Sequence, residues 1–487
     1  MKIYILVFVT ISTILSCDNF LEEEVFTEID PSTFLKDIEG VNALLTGAYS
    51  KFAISNFSGN NYFWLQEVNT DITWGSGGGV NALLLPLTEF TWDSGHPYFA
   101  SQFDKFYEAI ATANNVLMEI EELDNLNDAI KLQVQAEARF IRGTSYYILH
   151  GFFGPTQIIE IPKDATIDEI ETIVRSTPRA TESEYRDYVQ SDLRFATDNL
   201  TYGGVSSRAN KGSALSILTK FYLNNKQWIE ASVSAEKVIS EGGYDLYGDY
   251  LNLFSVNGES NNEYIFRFEN LVGSNQQHVY IPLAFPPNYP IQSNWENFGA
   301  QARTYTAFFE TFDLNDVRKQ SFIKEYTSVT TGELILLDRD TQGNALDNVR
   351  SFKYVPDPNA LGRYNGNDVP LVRLADIILA KAEALNEING PNQESIDLIN
   401  IVRNRAAVES INLFDFADKD SLRDYILEER AREFFTESLR RDDLIRHGKF
   451  IESAISRGKP AQTFHIRYPL PQEQIDLNPN LEQNDGY

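Results

Sequence analysis

The sequence predicts a mainly α-helical fold of antiparallel helix pairs packed in a tetratricopeptide-like way, with long irregular loop insertions and a few short strands. Three observations carry this. Apolar residues recur at helical spacing through block after block. Small residues sit where neighbouring helices must approach closely, as in "ANKGSALSILTKFYL" and "LADIILAKAEALNE". Two long stretches between the blocks are rich in Gly, Asn, Pro and aromatic residues and lack a helical period.

The first clear block runs from Phe103 to Leu123, where Phe106, Ile110, Ala113, Leu117 and Ile120 form one stripe. The second, from Ala129 to Phe153, repeats it in Leu132, Ala136, Phe140, Gly143 and Tyr147. "DNLND" joins them, a turn whose Asp residues can cap the second helix. Further blocks follow from Ser183 to Leu200, Arg208 to Asn224, Trp228 to Glu241, Leu371 to Ile388, Ser395 to Ala406 and Leu422 to His447. No clean repeat of about 34 residues emerges, so the repetition is architectural. The irregular stretches are Asn56 to Tyr98, with "NYFWLQEVNTDITWGSGGG", and Tyr244 to Asn367, with "AFPPNYPIQSNWENFG". Short strands are expected in "EYIFRFE" and "GELILLD". Loops this long inside a domain tend to carry function, which makes these two stretches the candidate ligand surface.

Composition narrows the function. The chain has 487 residues and a formal charge of −29, which repels nucleic-acid phosphates and excludes nucleic acid as a partner. Met1-Lys2 and the apolar stretch from Ile3 to Leu15 are too short to span a membrane. They lead to Ser16 and then Cys17, the chain's one cysteine, in an arrangement that resembles a bacterial lipoprotein signal. The expectation is a signal peptide over residues 1–16, lipidation at Cys17, and an acidic tether over 17–30 beginning "DNFLEEEV". With one cysteine, no intrachain disulfide can form.

Catalytic motifs are sparse. The five histidines lack metal-ligand spacing, there is no nucleophile elbow or Walker loop, and "GSGGG" has no lysine beside it. We therefore assign no catalytic residue, metal or cofactor. The acid- and base-rich stretch "ILEERAREFFTESLRRDDLIRHGK", Ile426 to Lys449, reads as a structural helix. Leu427, Ala431, Phe434, Phe435, Ser438 and Ile445 share one face. Glu437 with Arg441 and Asp442 with Arg446 are placed as helical ion pairs, and Arg430 and Glu433 share a flank.

The same stretch resembles the C-terminal signature of SusD/RagB-type outer-membrane lipoproteins through Glu429, Arg430, Glu433, Glu437, Arg440, Asp443, Leu444, Arg446 and Gly448. It departs at Ser438, where Gly is usual, and at His447, where Trp is usual. "AEARFIRGTSYYILHGFFG", "WIEASVSAEKVISEGGYDLYGDYLNLF", "VPLVRLADIILAKAEALNEING" and the ending "YPLPQEQIDLNPNLEQNDGY" are similar to family segments, in the family's order. The resemblance implies one domain over residues 31–487, a right-handed superhelical scaffold of tetratricopeptide-like pairs with a loop-built ligand face, and no catalysis. It implies a lipid-anchored protein on the outer-membrane surface that delivers oligosaccharide, or in some members peptide, to a SusC-like TonB-dependent transporter. A surface glycoside hydrolase using two carboxylates is the rival class, and a purely structural adhesin is a third.

Sugar rings stack on flat aromatic side chains while their hydroxyls need polar partners. Within the two loop regions the candidates are Trp64, Trp74 and Trp92 in the first and Trp295 in the second, with Asn69, Asp71 and Asn294 as polar neighbours. Trp228 opens a helix and is expected in the core.

Overall fold

A computed structural model of the chain describes residues 37–57, 61–75, 77–124, 126–273, 278–299 and 301–487. The expected signal peptide, the tether and Cys17 lie outside them. Helices dominate, and each lies against the next: α1 (Ile38–Phe57) on α4 (Pro97–Glu121), α4 on α5 (Asp128–Phe153), and α5 on α7 (Glu182–Asn199). The series continues with α7 on α8 (Lys211–Asn224), α8 on α9 (Trp228–Glu241), and α9 on α10 (Leu374–Asn389). Helices α11 (Gln393–Arg405) and α12 (Lys419–Phe434) both pack on α10. This is the expected tetratricopeptide-like pairing, and one apolar core runs through it. No helix among the described residues is long and apolar enough to cross a membrane.

Local chemistry explains the boundaries. Pro97 opens α4, and His96 accepts the Tyr98 amide. Asn127, not an Asp of the turn, caps α5 by accepting from the Ala129 amide. Thr181 with Glu184 forms a capping box on α7, and Asn210 caps α8. The stripe on α5 is buried from Ala136 onward, but Leu132 is exposed.

The first irregular region is more helical than expected. It holds the end of α1, then α2 (Asn61–Glu67) and α3 (Asn81–Glu89), both short enough for their period to be lost among aromatic and small residues. Helix α6 (Ile167–Ser176), also unanticipated, is capped by Thr166 and Glu169 and buries none of its residues. Among the described residues the strands form four two-stranded antiparallel ladders. The expected strand in "EYIFRFE" is β2 (Tyr264–Phe268), which pairs with the buried β8 (Val369–Arg373). That strand takes the residues before Leu374, so α10 begins later than its period suggested. Two ladders matter for the site. In one, β1 (Thr73–Gly75) joins β3 (Ala302–Thr304), stitching the two loop regions together. In the other, "GELILLD" supplies β6 (Leu334–Leu336) opposite β5 (Glu325–Thr327).

The charged C-terminal stretch is not one helix. Helix α12 ends at Phe434, Thr436 and Ser438 take left-handed backbone angles (φ 64° and 63°), and α13 (Arg440–Arg446) starts afresh. The break is held by the Ser438 amide donating to Glu67 Oε1 at 2.8 Å and by Thr436 Oγ1 against Ser351 Oγ at 2.7 Å. It separates Glu437 from Arg441, while the other expected pairs share a helix but give way to other carboxylates. Glu437 turns inward to Lys353 and Arg373, and Arg441 donates to the carbonyls of Gly151 and Ile466. Arg446 takes Glu383 and Asp443. Arg430 takes Asp376 and Asp443 rather than Glu433. These groups are buried, so they set the packing register of the C-terminal half instead of decorating a surface.

A left-handed backbone costs a side-chain-bearing residue about 1–2 kcal/mol that glycine does not incur. Ser438→Gly keeps the amide that Glu67 accepts from. After the added freedom of the unfolded chain is subtracted, it is expected to raise stability by ~0.5–1 kcal/mol in urea melts. A destabilised variant would show that the buried hydroxyl outweighs the backbone strain.

Candidate functional site

The β1–β3 ladder places Trp74 directly opposite Arg303. Neighbours across an antiparallel pair project on the same face, and the Arg303 guanidinium carbon stands 4.5 Å from the centre of the Trp74 ring. The indole Nε1 donates to the Asp347 carbonyl at 2.8 Å, which fixes the ring's orientation. Tyr305, the residue after β3, lies 6.4 Å from Trp74, centre to centre and tilted by 34°. Arg457, which follows α14 (Phe450–Ser456), stands 5.5 Å from the Tyr305 ring centre. Arg303, Trp74, Tyr305 and Arg457 are thus consecutive, half-buried members of an arc that alternates guanidinium and aromatic ring.

The arc rests on fixed supports. Arg457 donates to the Asn69 carbonyl and to Ser453 Oγ. Asp347 Oδ1 accepts the Thr306 amide at 2.9 Å. Beneath Arg303 lies Arg350, fully buried, donating to the Ala302 carbonyl and to Asn348 Oδ1. Burial, and then the like charge of Arg303, pulls Arg350 down to about 9. Burial likewise lowers Arg303 and Arg457 and pushes the Tyr305 hydroxyl up to about 12.

A second aromatic group surrounds Trp295. Its ring stacks on Phe285 (5.8 Å, 19°), which stacks on Tyr289 (5.7 Å, 22°), and Phe352 and Tyr326 pack against Tyr289. Trp295 Nε1 donates to the Asp357 carbonyl at 2.9 Å. Trp295, Tyr289, Phe352 and Tyr326 are half-buried, whereas Phe285 is the buried floor. Asn294, although exposed, spends its amide on the Pro358 and Ala360 carbonyls and latches the neighbouring loop.

The remaining candidates sit elsewhere. Trp64 is 2% exposed in α2, edge-on to Phe63, and Trp92 is 5% exposed, its Nε1 donating to Tyr487 Oη. Neither has a face free for a ligand. Asn69 is buried and donates to Tyr468 Oη. Asp71 accepts two bonds from Arg440, at 2.7 and 2.6 Å. Burial alone would raise its carboxyl, but Arg440 outweighs that and holds it below the usual range. It lines a cleft of about 330 Å³ with Asp424, Glu428 and Lys449. Trp228 corrects the other way. It is half-buried rather than core, and it borders a cleft of about 400 Å³ with Lys226, Glu387, Arg423 and His447.

Sequence reasoning missed Arg303, Tyr305 and Arg457. They come from two distant segments, and only the β1–β3 ladder and the turn after α14 bring them to Trp74.

A family model described as the SusD family matches residues 242–487, and another, described as starch-binding associating with outer membrane, matches residues 19–223. The chain belongs to the SusD family. Among its SusD-family relatives, SusD-like protein P25 of Formosa agariphila is 25% identical over 526 aligned residues, covering 97% of this chain and 96% of that one. The starch-binding protein SusD of Bacteroides thetaiotaomicron is 22% identical, covering 76% of this chain and 75% of its own. Solved SusD-family structures share the fold. A SusD homologue from Bacteroides thetaiotaomicron superposes with a TM-score of 0.80 at 21% identity, covering 95% of this chain and 99% of that chain. A laminarin-binding SusD-like protein gives 0.78 at 21% identity, over 93% and 100%.

Proposed function

We propose that this SusD-family chain is a lipid-anchored surface protein of the outer membrane that captures oligosaccharide and passes it to a partner SusC-like TonB-dependent transporter. The observation that carries the reading is the arc around Trp74. Trp74 is held rigidly by Asp347 and Arg303 while part of its surface stays accessible. A preset ring offers apolar contact to the C–H face of a sugar at little entropic cost, and the flanking guanidiniums offer N–H donors to its hydroxyls. Trp295 supplies a second platform. Relatives named for starch, laminarin or surface glycan binding support a glycan cargo. Relatives named for starch or laminarin binding also support action by binding rather than by bond cleavage.

Titration calorimetry of a glycan and peptide panel tests this. The expected result is binding to an oligosaccharide that Trp74→Ala weakens at least tenfold, about 1.4 kcal/mol, with a smaller loss for Trp295→Ala. Unchanged affinity in both variants would remove the site. Peptide binding in place of glycan, or release of reducing sugar by the purified protein, would replace the reading with its rivals. Isolation in mild detergent is expected to recover a large barrel protein with the chain.

A further inference from the structure

We propose that the Gln301 carboxamide is a concealed polar contact for the captured sugar, and that it selects a ring with two adjacent free hydroxyls beside the face that stacks on Trp74. This rests on the capture reading above and names the residue and the hydroxyl pattern that set its specificity.

The ladder register places Gln301. Trp74 pairs with Arg303, and residues two positions to either side of such a pair are diagonal neighbours, about 7–8 Å away and within reach of long side chains. Tyr305, on one side, does reach the indole, at 6.4 Å between ring centres. Gln301, just before β3, is the corresponding residue on the other side. Its backbone amide donates to the Leu283 carbonyl at 2.9 Å, which fixes the chain there. Its side chain is buried, with the residue 7% exposed.

The state of the carboxamide sets it apart. Buried Gln66, Asn69, Asn367 and Asn386 also leave an oxygen unmet, but each gives its nitrogen to a fixed partner in the scaffold. Among the described residues, neither the oxygen nor the nitrogen of Gln301 has a hydrogen-bond partner. A buried amide in that condition costs stability, whereas beside a binding platform it gains its bonds when ligand arrives. Its cover is thin. A Cβ built at Gly78 would meet Gln301 alone, with Nε2 at 3.0 Å. Gly77 and Gly78 hold positive angles that suit glycine (φ 95° and 58°), and the turn Gly78–Val80 buries none of its residues. Displacing the turn uncovers the carboxamide without breaking core contacts.

A carboxamide presents an acceptor and a donor side by side. Two adjacent sugar hydroxyls match it, one donating to Oε1 and the other accepting from Nε2. A ring substituted at either hydroxyl leaves the amide half-met, which is how a buried polar group rejects a near-isostere.

The experiment is calorimetry with cellohexaose, laminarihexaose, maltohexaose and mannohexaose, the tightest binder then being compared with its singly O-methylated forms. Gln301→Met keeps the side chain's length without the amide. It is expected to bind that probe about tenfold more weakly while its melting temperature holds or rises. Methylation at two adjacent ring positions should weaken the wild type by a similar factor and the variant hardly at all. Hydrogen–deuterium exchange over residues 77–80 should quicken when the probe binds, and unchanged exchange would mean that the turn stays shut and overturn the proposal. A lowered melting temperature assigns the amide to the scaffold and overturns it too. So does unchanged affinity in Gln301→Met with Trp74→Ala still weakening binding, an outcome that leaves glycan capture standing. Absence of binding to these probes and to a broad glycan panel overturns both.

Discussion

Replacing Glu433 with alanine is expected to cost about 3–5 kcal/mol of folding stability. The carboxylate is fully buried on α12 and accepts from Arg318 at 3.1 Å, from Arg373 at 2.7 Å and from Arg405. Burial alone would raise its pKa, but Arg405, Arg373 and Arg318 outweigh that and hold it at about 2. Removing it takes one carboxylate from three guanidiniums at once. Although Arg318 keeps Asp316 and Glu429, Arg373 keeps Glu263 and Glu437, and Arg405 keeps Glu263, the cluster is left one negative charge short in a region sealed from water. Domains are stable by only about 5–15 kcal/mol, so the variant should melt several degrees lower, about 1 °C per kcal/mol in a chain of this size, or fail to accumulate. Glu433→Gln, which keeps an acceptor but no charge, should fall between. Exposed Glu452→Ala is the control. A loss under about 1 kcal/mol in urea denaturation would show that the cluster adds register but little stability. The same carboxylates predict acid unfolding. Glu429 and Glu433 are both held at about 2, so their stabilisation is complete above the unfolded value near 4.5 and is lost as pH falls from there toward 2.

The position of Glu433 shows what the sequence could convey. Local period and caps were legible: α5 was expected from Ala129 to Phe153 and runs Asp128–Phe153, and α9 was read without error. The charged stretch was read as helical ion pairs because spacing reports only neighbours along the chain. Its real partners, Arg373 and Arg318, lie far off in sequence and are brought in by β8 and by the turn after Asp316. The helix break escaped notice because it is made by Thr436 and Ser438 rather than by glycine. For the site, clustering of aromatics in loop regions found Trp74 and Trp295. The same clustering also offered Trp64, Trp92 and the buried Asn69, since composition is blind to which side of a segment meets the core.

Glu67→Gln is expected to stabilise the protein in a pH-dependent way, with almost no effect at pH 5 and roughly 2–4 kcal/mol by pH 8. Glu67 ends α2, is fully buried, accepts the Ser438 amide through Oε1 and leaves Oε2 without a partner. Burial is the chief cause that raises its carboxyl to about 8. The charge of Glu437 adds to the rise, while the Ser438 bond, Lys353 and Arg440 oppose it. The folded state thus keeps a proton that the unfolded chain releases near pH 4.5. Between those values the folded protein binds more protons than the unfolded one, so stability falls as pH climbs through that window. Glutamine preserves the oxygen that Ser438 needs and has no proton to lose, so the variant should not show the decline. Lys353, pulled down to about 8 by burial against the pull of Glu437, has the opposite slope. Its folded form gives up a proton before its unfolded form does, which adds stability only above pH 8. Comparing wild type with Glu67→Gln in urea between pH 5 and 8 therefore isolates Glu67. Parallel pH profiles for the two proteins would mean that Glu67 is ionised in the fold, with Lys353 and Arg440 sufficient to hold its charge.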